Sequence, residues 1–600
     1  MCGIIGYVGD GSDHSATDVL LSGLSGLEYR GYDSAGIALA NAKLSVCKRE
    51  GELSALEQAM EQLDPPEESL GIGHTRWSTH GPPSDDNAHP HTDERERVAV
   101  VHNGIIENYQ SLRDDLADAG VTFQSDTDTE VVPHLIAQNL EAGHGPERAF
   151  RRAVDRLEGS YAIAAVVAGT DAILAARNES PLVLGVGESG RYLASDVPAF
   201  IEFTDKVIYL KDGQFARLTA DEVVVTDETG TEQSVTVDRI EWDPEDAGKS
   251  GYDHYMLKEI HEQPASLRQC LRGRVDEIDG RIDLDDIDPL ESATDIQFVA
   301  CGTSYHAAVF GARLLREHGI PAQAHLASEF AASSAVLTGD TLVVGVTQSG
   351  ETADTMRALR VANRAGTTTI AVTNVVGSSA AREADDTVYI RAGPEIGVAA
   401  TKTFASQQAA LTMLAAALTD SHSRETVRSL RAIPDQVQTV LDTSDARDVA
   451  DAYIDADAYF FIGRGYQYPV ALEGALKMKE ITYKHAEGFA AGELKHGPLA
   501  LVTGQTPVFA VVAGDGQSAE KTIGNVKEVE ARGAPVVAVT DGRAGVERYA
   551  DHVLPIPESI PLATAVTANV QLQLVAYWVA RRLGRSIDKP RNLAKSVTVE

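Results

Sequence analysis

Short apolar runs that end in glycine or a small hydroxyl residue recur in the second half of the chain, and they restrict the fold more than any other feature. Two of them, "DIQFVACGTS" and "DTLVVGVTQSGET", each precede a segment with helical periodicity. Strands that are buried on both faces read as continuous apolar runs, and they occur in parallel sheets covered by helices on both sides. This half of the chain is therefore predicted to form doubly wound α/β domains.

The same pattern occurs twice in order. A second series, "DAYFFIGRG", "TPVFAVVAG" and "APVVAVTDG", follows a helix-rich stretch between about Thr401 and Ala452. Recurrence of one supersecondary unit indicates an internal duplication. We therefore expect two tandem α/β domains at residues 291–430 and 450–590, followed by a C-terminal tail at 591–600.

Residues 2–242 show a different pattern, in which short β-type runs alternate with turn signals. Helices are expected around Asp18–Tyr29, Gln110–Ala119 and Thr129–Glu141. This pattern predicts sheets packed with helices and not regular βαβ units. The charged segment "EWDPEDAGKSGYDHYM" then predicts a linker, so that residues 243–290 contain the linker and the start of the second half.

The chain carries 89 acidic and 52 basic residues, which gives a formal net charge of −37 at pH 7. Such a charge opposes binding to nucleic acid and to anionic membranes. Its size indicates a surface adapted to high salt, where repulsion between carboxylates is screened. The four cysteines form no CxxC pair, and no apolar run reaches the roughly 18 residues of a membrane span. Without a signal-peptide pattern, the protein is expected to be soluble and cytoplasmic.

Cys2 directly follows the initiator methionine. Removal of Met1 gives Cys2 a free α-amino group, whose pKa of about 7.7–8.0 is close to the value of about 8.5 for a free thiol. The amine can then serve as the general base for the thiol, which attacks an acyl or amide carbon. The alternative interpretation is a buried, inert cysteine.

Nearby motifs favour the nucleophile. "EYRGYDSAG", "GHTRWSTHG", "VVHNGIIENY" and "SDTDTE" resemble the motifs of class II glutamine amidotransferases. The resemblance implies an N-terminal-nucleophile glutaminase domain, an α+β sandwich with Cys2 as its nucleophile. It also implies that Arg76 and Asp128 bind the carboxylate and amine of glutamine, while Asn103 and Gly104 form the oxyanion hole. These residue types suit their roles, because guanidinium groups bind carboxylates bidentately and amide donors stabilise oxyanions.

Histidines around these motifs raise the alternative of a metal site: His74, His80, His89, His91 and His102. They lack the i, i+4 spacing of an HExxH ligand pair, and no cysteines support them. We therefore expect hydrogen-bonded loop histidines and no metal.

In the second half, "VACGTSYHAA" and "VVGVTQSGET" place small hydroxyl residues where a buried strand meets a helix. Backbone N–H groups and hydroxyls at such a position form a cradle for anions. Neither loop has the lysine of a GxxxxGK[ST] motif, so a nucleoside triphosphate site is not indicated. Each loop alone could be an ordinary helix cap, but two in one sheet favour a phosphorylated small molecule.

Together with "ALEGALKMKEITYKHAEGF", "ELKHGP" and "KPRNLAKSVTVE", these motifs make the whole chain resemble the glutamine:fructose-6-phosphate aminotransferase family. The resemblance implies two tandem sugar isomerase (SIS) domains. It implies transfer of the amide nitrogen of glutamine to fructose-6-phosphate, giving glucosamine-6-phosphate and glutamate for amino-sugar biosynthesis. It further implies that no cofactor is needed and that the chain forms a homodimer or a larger homo-oligomer.

The same resemblance assigns residues to the sugar site. The phosphate contacts are Ser304, Thr347, Gln348, Ser349 and Thr352, and the residues that line the sugar are Cys301, Gly302, Thr303 and Val398. Lys595 resembles the lysine that forms an imine with the sugar, Glu480 the base that moves a proton between C1 and C2, and Lys477 its partner. His496 resembles a residue that helps to open the sugar ring, and Trp77 the gate of an ammonia channel.

Three lysines are candidates for the imine-forming amine: Lys477, Lys495 and Lys595. Glu473 and Glu480 lie on one helix face with Lys477 and favour its protonated form. Lys595 has no neighbouring carboxylate in the apolar terminal segment, so burial is expected to favour its free amine.

Other functions fit less of the sequence. Other class II amidotransferases share only the Cys2 half; the paired acids of a phosphoribosyltransferase and the SGGxDS loop of an asparagine synthetase do not occur in the sequence. A sugar-phosphate sensor has no use for Glu480, Lys595 or the Cys2 half. An enzyme that works as a deaminase in the cell would use the same residues, and this alternative stays open.

Overall fold

A computed structural model describes residues 2–11, 14–28, 33–63, 68–77, 81–240, 249, 251–276, 279–284, 287, 295–332, 337–419 and 423–597. These residues divide into two compact units, one within Met1–Ala247 together with Ser596–Glu600, and one within Gly248–Lys595. Most of the predicted linker, and His80, lie outside the described residues.

The first unit contains two antiparallel sheets. Its strands are β1 (Gly3–Gly9), β2 (Ser34–Ala40), β3 (Leu44–Glu50), β4 (Leu70–Arg76), β5 (His91–Thr92), β6 (Val98–Ile106), β7 (Gly159–Val167), β8 (Ile173–Asn178), β9 (Val183–Val186), β10 (Gly190–Ala194), β11 (Lys206–Tyr209), β12 (Phe215–Leu218), β13 (Val223–Thr226) and β14 (Asp238–Arg239). Its helices are α1 (Ala16–Leu27), α2 (Leu53–Leu63), α3 (Tyr109–Asp118), α4 (Val131–Glu141) and α5 (Pro146–Val154). The strand orders are β14-β11-β9-β10-β1-β4-β2-β3 and β13-β12-β8-β7-β6-β5.

The two sheets pack face to face between layers of helices. Successive side chains of a strand point to opposite faces, and β1 shows the result. Ile5 and Tyr7 enter the core shared with α1 and α2, whereas Ile4 and Val8 enter the core between the sheets. Helices α3 to α5 cover the outer face of the second sheet. This helix–sheet–sheet–helix sandwich confirms the fold that the resemblance implied.

The three helices predicted for this unit are α1, α3 and α4, with ends displaced by a few residues. Helices α2 and α5 were not predicted. In α5, "PERAFRRAV", four buried residues are interleaved with arginines, so the apolar stripe is short and the charged residues conceal it.

The second unit contains two parallel sheets of five strands each and a two-stranded antiparallel sheet formed by its first two strands. Its strands are β15 (Val275–Asp276), β16 (Arg281–Ile282), β17 (Asp295–Ala300), β18 (Ala322–Leu326), β19 (Thr341–Val346), β20 (Thr368–Thr373), β21 (Asp386–Tyr389), β22 (Ala458–Gly463), β23 (His485–Ala490), β24 (Val508–Val512), β25 (Val536–Thr540) and β26 (His552–Pro555). Its helices are α6 (Tyr255–Leu271), α7 (Gly302–Glu317), α8 (Ala327–Ala332), α9 (Ala353–Ala365), α10 (Ser379–Glu383), α11 (Lys402–Leu418), α12 (Arg424–Thr443), α13 (Ala446–Tyr453), α14 (Gln467–Thr482), α15 (Gln517–Glu530) and α16 (Pro561–Arg582).

The internal duplication is visible in the strand order. The sheets run β18-β17-β19-β20-β21 and β23-β22-β24-β25-β26, so each copy places its first strand beside its second and third. All neighbouring strands in both sheets are parallel. Helices cover both faces of each sheet, which confirms two doubly wound domains. Among the helices of the described residues, none combines the length and the apolar character of a bilayer span.

Candidate active sites

The site in the first unit forms around Cys2, which immediately precedes β1. Antiparallel pairing places Gly3 opposite Thr75 near the end of β4, and this register brings Cys2 beside Arg76 and Trp77. Cys2 Sγ accepts a hydrogen bond from the Trp77 backbone N–H over 3.3 Å, and it lies 3.5 Å from the Trp77 carbonyl oxygen. The thiol is therefore fixed by main-chain groups of the neighbouring strand.

Asn103 and Gly104 lie on β6, and the side chain of Asn103 reaches Cys2. Asn103 Nδ2 donates to the Cys2 carbonyl oxygen over 2.9 Å. Gly104 has a φ of +130°, and a Cβ there would collide with the Ser160 carbonyl oxygen. Only glycine fits this backbone, because L side chains rarely adopt such a φ and the strand β7 is too close. Asn103 is thus placed to present an amide donor beside Cys2, and Gly104 follows it directly on the strand.

His74, which the sequence marked only as a hydrogen-bonded histidine, belongs to this site. Its Nε2 lies 3.1 Å from Asn103 Oδ1 and 3.1 Å from the His102 carbonyl oxygen. Because both partners are acceptors, the ring donates from Nε2, and this turns the Asn103 amide nitrogen toward Cys2. Burial lowers the pKa of His74 to about 3, so the ring stays neutral. His74 lies on β4 and Asn103 on β6. Their hydrogen bond joins residues on two different strands, so no local sequence pattern predicts it.

Three of the histidines, His74, His89 and His91, pack against one another as a cluster of rings. The ring centroids of His74 and His89 are 4.1 Å apart, and those of His89 and His91 are 4.7 Å apart. Burial lowers the pKa of His89 and of His91 well below the usual value. Within the described ranges, no group of three or more His, Cys, Asp or Glu side chains is placed to hold a metal ion. The prediction of loop histidines is wrong for His74, His91 and His102, which lie on strands where they fill a buried polar layer.

Arg76 and Asp128 are both buried near Cys2. Asp128 Oδ2 accepts the Ile106 backbone N–H over 2.9 Å, which fixes its carboxylate at the end of β6. Burial raises the pKa of the Cys2 thiol; the chain's amino terminus and Arg76 act in the opposite direction, and Asp128 adds to the increase. The resting thiol is therefore neutral and needs a base before it can attack.

In the second unit, the loop between β19 and α9 carries the predicted phosphate contacts. Thr347 Oγ1 accepts the Gly350 backbone N–H over 3.2 Å and lies 3.1 Å from Thr352 Oγ1. Thr352 precedes α9 but makes no side-chain capping hydrogen bond, which disfavours the interpretation as an ordinary helix cap. Gly350 has a φ of +70°, and Ser378 occupies the place of a Cβ, so only glycine permits this turn. Gln348 and Ser349 lie in the same loop.

The loop between β17 and α7 lies next to it in the sheet. Cys301 and Gly302 connect the strand to the helix, and Gly302 has a φ of +54°. Ser304 Oγ accepts a hydrogen bond from Gln407 Nε2 over 2.9 Å. The Thr303 hydroxyl donates to Glu473 Oε1 over 2.9 Å, so this loop of the first copy contacts α14 of the second copy.

Helix α14 carries a buried polar face. Lys477 Nζ lies 3.3 Å from Glu473 Oε1 and 2.6 Å from Glu480 Oε2. Burial acts to lower the pKa of Lys477, but the two carboxylates outweigh it and raise that pKa, as the sequence predicted. Burial raises the pKa of Glu480, which suits a group that gives and takes protons. His306 Nδ1, a contact the sequence did not predict, lies 2.7 Å from Glu473 Oε2.

Lys595 is buried, with 4% of its side chain exposed, and a carboxylate that is distant in sequence lies beside it, whereas the terminal segment alone offered none. Its Nζ donates to Glu395 Oε2 over 2.5 Å and to the Gly397 carbonyl oxygen over 2.8 Å. Lys595 acts with two backbone amides to lower the pKa of Glu395 to about 2, although burial alone would raise it. The segment that supplies Glu395 is remote in sequence, so the ion pair could not be read from the terminal residues.

Two further residues predicted for the sugar site, Val398 and His496, differ in their surroundings. Val398 is buried beside the Lys595 contacts, and its backbone N–H donates to the Asp588 carbonyl oxygen over 3.1 Å. His496 is exposed after a short 3-10 helix, and among the described residues no side-chain hydrogen bond or ion pair joins it to Glu480 or Lys595. The role of His496 in ring opening thus stays a prediction, as does the gating role of Trp77.

Family models match both units. The model described as "SIS domain" matches residues 290–417 and 452–581, and the model described as "Glutamine amidotransferase domain" matches residues 74–202. The first pair of ranges covers the two doubly wound domains, and the third range covers the β4–β6 part of the Cys2 site.

Relatives match over the full length. A protein of Halobacterium salinarum named glutamine--fructose-6-phosphate aminotransferase [isomerizing] is 51% identical, with 100% of each chain covered. A protein of Symbiobacterium thermophilum with the same name is 48% identical, again with 100% of each chain covered. Among solved structures, the C-terminal domain of glucosamine-fructose-6-phosphate aminotransferase from Francisella tularensis is 35% identical with a TM-score of 0.54, and covers 57% of this chain and 100% of its own.

Proposed function

Because this chain belongs to the glutamine--fructose-6-phosphate aminotransferase (isomerizing) family, we propose that it transfers the amide nitrogen of glutamine to fructose-6-phosphate and isomerises the product to glucosamine-6-phosphate. One observation supports the proposal: each unit positions a candidate nucleophile beside polar groups that can assist its reaction. Cys2 lies against amide donors in the first unit, and Lys595 is buried beside Glu395 in the second.

In the first unit, Cys2 is the proposed nucleophile toward the side-chain amide of glutamine. Its α-amino group, freed by loss of Met1, takes the proton from the thiol. Asn103 Nδ2 and the Gly104 N–H stabilise the oxyanion of the tetrahedral intermediate, and His74 keeps Asn103 turned toward it. The amine returns its proton to the departing nitrogen, so ammonia leaves, and water then hydrolyses the thioester to glutamate.

In the second unit, Lys595 is proposed to form an imine with the open keto sugar, whose phosphate is held by the loops at residues 301–304 and 347–352. Ammonia displaces the lysine and gives the sugar imine at C2. Glu480 then removes a proton from C1 while the imine nitrogen gains one, which gives an enaminol. Delivery of a proton to C2 and loss of the C1 hydroxyl proton convert the enaminol into the 2-amino aldose. Lys477, 2.6 Å from Glu480, keeps this carboxyl group in place and compensates its charge.

We also propose the domain boundaries 2–242, 243–290, 291–430 and 450–590, which the division into two units and the ranges matched by family models support approximately. A C-terminal tail at 591–600 that contributes to the sugar site is proposed on the family resemblance. A cytoplasmic location and a homodimer or larger homo-oligomer are proposed on the family resemblance.

A product assay tests the function. Purified chain receives glutamine and fructose-6-phosphate at several potassium chloride concentrations, and glucosamine-6-phosphate and glutamate are measured together. Equal amounts of both products are expected from coupled transfer. Glutamate without amino sugar at every salt concentration would contradict the proposal, and amino sugar formed only from free ammonia would show that the chain works without its glutaminase unit.

A further inference from the structure

Glu259 is a buried carboxylate that the mechanism above leaves without a role. It lies on α6 and is 1% exposed. Its Oε1 accepts the backbone N–H groups of Ile396 over 2.5 Å and of Gly397 over 3.1 Å, whereas its Oε2 is buried without a hydrogen-bond partner among the described residues. Burial of a carboxylate with an unpaired oxygen is costly, so its presence needs a reason.

Glu259 and Glu395 together hold one segment of backbone. Glu395 accepts the N–H groups of Thr401 over 2.9 Å and of Thr403 over 3.0 Å. Glu259 holds the two amides that follow Glu395. Four backbone amides between 396 and 403 are therefore fixed by two buried carboxylates.

This segment also holds the amine of Lys595. Gly397 donates its N–H to Glu259 and accepts the Lys595 ammonium at its carbonyl oxygen, 2.8 Å away. Glu395, at the other end of the same turn, is the second acceptor for Lys595. Any shift of the Ile396–Gly397 backbone consequently moves both groups that position the amine.

The surroundings of Glu259 make its ionised form unfavourable. Burial, and then the neighbouring Glu395 carboxylate, raise the pKa of Glu259 to about 7, while Lys595 and Lys402 act in the opposite direction. Lys402 is itself paired with Glu262 over 2.7 Å. An apolar residue of similar size would avoid the repulsion between the two carboxylates but would leave the Ile396 and Gly397 amides unpaired, so the advantage of Glu259 lies in the hydrogen bonds it accepts.

We propose that Glu259 is a positioning residue for Lys595: it fixes the Ile396–Gly397 backbone so that the Gly397 carbonyl and the Glu395 carboxylate hold the amine where it meets the sugar carbonyl. The inference rests on the proposed function, in which Lys595 forms the imine.

Two substitutions of Glu259 separate its hydrogen bonds from its charge. Glu259→Gln keeps an acceptor for both amides, and Glu259→Leu removes it. After incubation with fructose-6-phosphate and borohydride, Glu259→Leu should form the Lys595 adduct at least about tenfold more slowly, the rate equivalent of one unpaired buried amide. Glu259→Gln should retain most of the rate. In both variants KM for fructose-6-phosphate should change little and kcat should carry the effect, because the phosphate loops are untouched.

Cys270→Ala is the matched control for a change in the core. Cys270 is buried on α6, about three helical turns beyond Glu259, and contacts α11 at the Ser406 carbonyl oxygen. Gly397→Ala tests the same contact from the other side, since its Cβ would lie 2.8 Å from Glu259 Oε2 and push the two residues apart. This variant keeps the inference testable if Glu259→Leu does not fold.

The outcomes distinguish a failure of the positioning role of Glu259 from a failure of the proposed role of Lys595. Slow adduct formation in Glu259→Leu and Gly397→Ala, with normal rates in Cys270→Ala, supports the positioning role. Normal rates in both of the first two variants overturn it, as does a Glu259→Gln variant that is as slow as Glu259→Leu. If wild-type enzyme forms no adduct at Lys595, the proposed role of Lys595 fails instead.

Discussion

The side-chain nitrogen of Lys595 lies 2.5 Å from Glu395 Oε2, although 200 positions separate the two residues in the sequence. The resting amine is thus held as one half of a buried ion pair. Breaking a buried pair is costly, so the sugar must approach the amine without leaving the Glu395 carboxylate uncompensated.

Lys595→Arg should abolish the borohydride-trapped sugar adduct. The guanidinium group can still pair with Glu395, so the fold should persist, but it is too weak a nucleophile to form an imine. Mass spectrometry of peptides locates the adduct, and glutamine hydrolysis by the other unit serves as the control. Labelling of Lys477, or labelling that survives in Lys595→Arg, would overturn the assignment.

Cys2→Ala should abolish glutamine hydrolysis, because no other described side chain near Asn103 combines a nucleophile with an adjacent amine. Isomerisation of fructose-6-phosphate in the second unit should remain. A wild-type chain with extra residues before Cys2 should be inactive toward glutamine as well, since its base is then an amide. Intact mass of active enzyme should show that Met1 is absent.

Gly104→Ala should reduce glutamine hydrolysis about 10²-fold or more, the usual cost of one lost oxyanion donor. The Cβ would collide with Ser160 and displace the N–H of residue 104. Gly120→Ala is the matched control: Gly120 also has a positive φ of +95°, but no atom lies within 4 Å of its Cβ position. Equal losses in both variants would show that backbone strain alone is responsible.

The cluster of His74, His89 and His91 should make the first unit sensitive to acid. Burial lowers the pKa of His74 to about 3 and those of His89 and His91 well below 6.5 in the folded chain. Below about pH 6.5 these rings are protonated in the unfolded chain but stay neutral in the folded chain. The free energy of unfolding therefore decreases as the pH falls, by up to about 1.4 kcal/mol per pH unit for each ring.

Carbon-13 NMR of labelled histidine rings measures this directly. At pH 5.5 the rings of His74, His89 and His91 should remain neutral in the folded chain and become protonated in urea. Protonated rings in the folded chain at that pH would contradict the interpretation.

Stability should rise with salt. At a net charge of −37, the Debye length grows from about 3 Å at 1 M to about 10 Å at 0.1 M, so repulsion between dispersed carboxylates increases on dilution. The melting temperature is measured against potassium chloride, with sucrose as an uncharged control. A flat salt profile would mean that the acidic surface has another explanation.

Pattern and motif predicted most of the fold. The buried runs before Cys301 and Thr347 mark β17 and β19, because a strand covered on both faces can only be apolar. The alternating and turn-bounded runs of the first half likewise mark its sheets. The short helix α5 was missed, since its four buried residues give too little periodicity to stand out among arginines.

The sites could be predicted only where they reside in a local motif. A short sequence motif surrounds each of the residues that were predicted: Cys2, Asn103 and the loop at Thr347. Glu395 and Glu259 do not: their function depends on contacts with residues more than 100 positions away, and an isolated glutamate in a sequence resembles any surface glutamate. The ion pair of Lys595 was missed for the same reason.

The hydrogen bond between Thr303 and Glu473 joins the two copies of the duplicated domain. In the proposed mechanism, the first copy supplies the loops that hold the sugar phosphate and the second supplies the helix with Glu473, Lys477 and Glu480. Neither copy then has a sugar site of its own, and a change in either one acts on the same reaction. The repeat differs in this from an array of equivalent modules, each of which binds its own ligand.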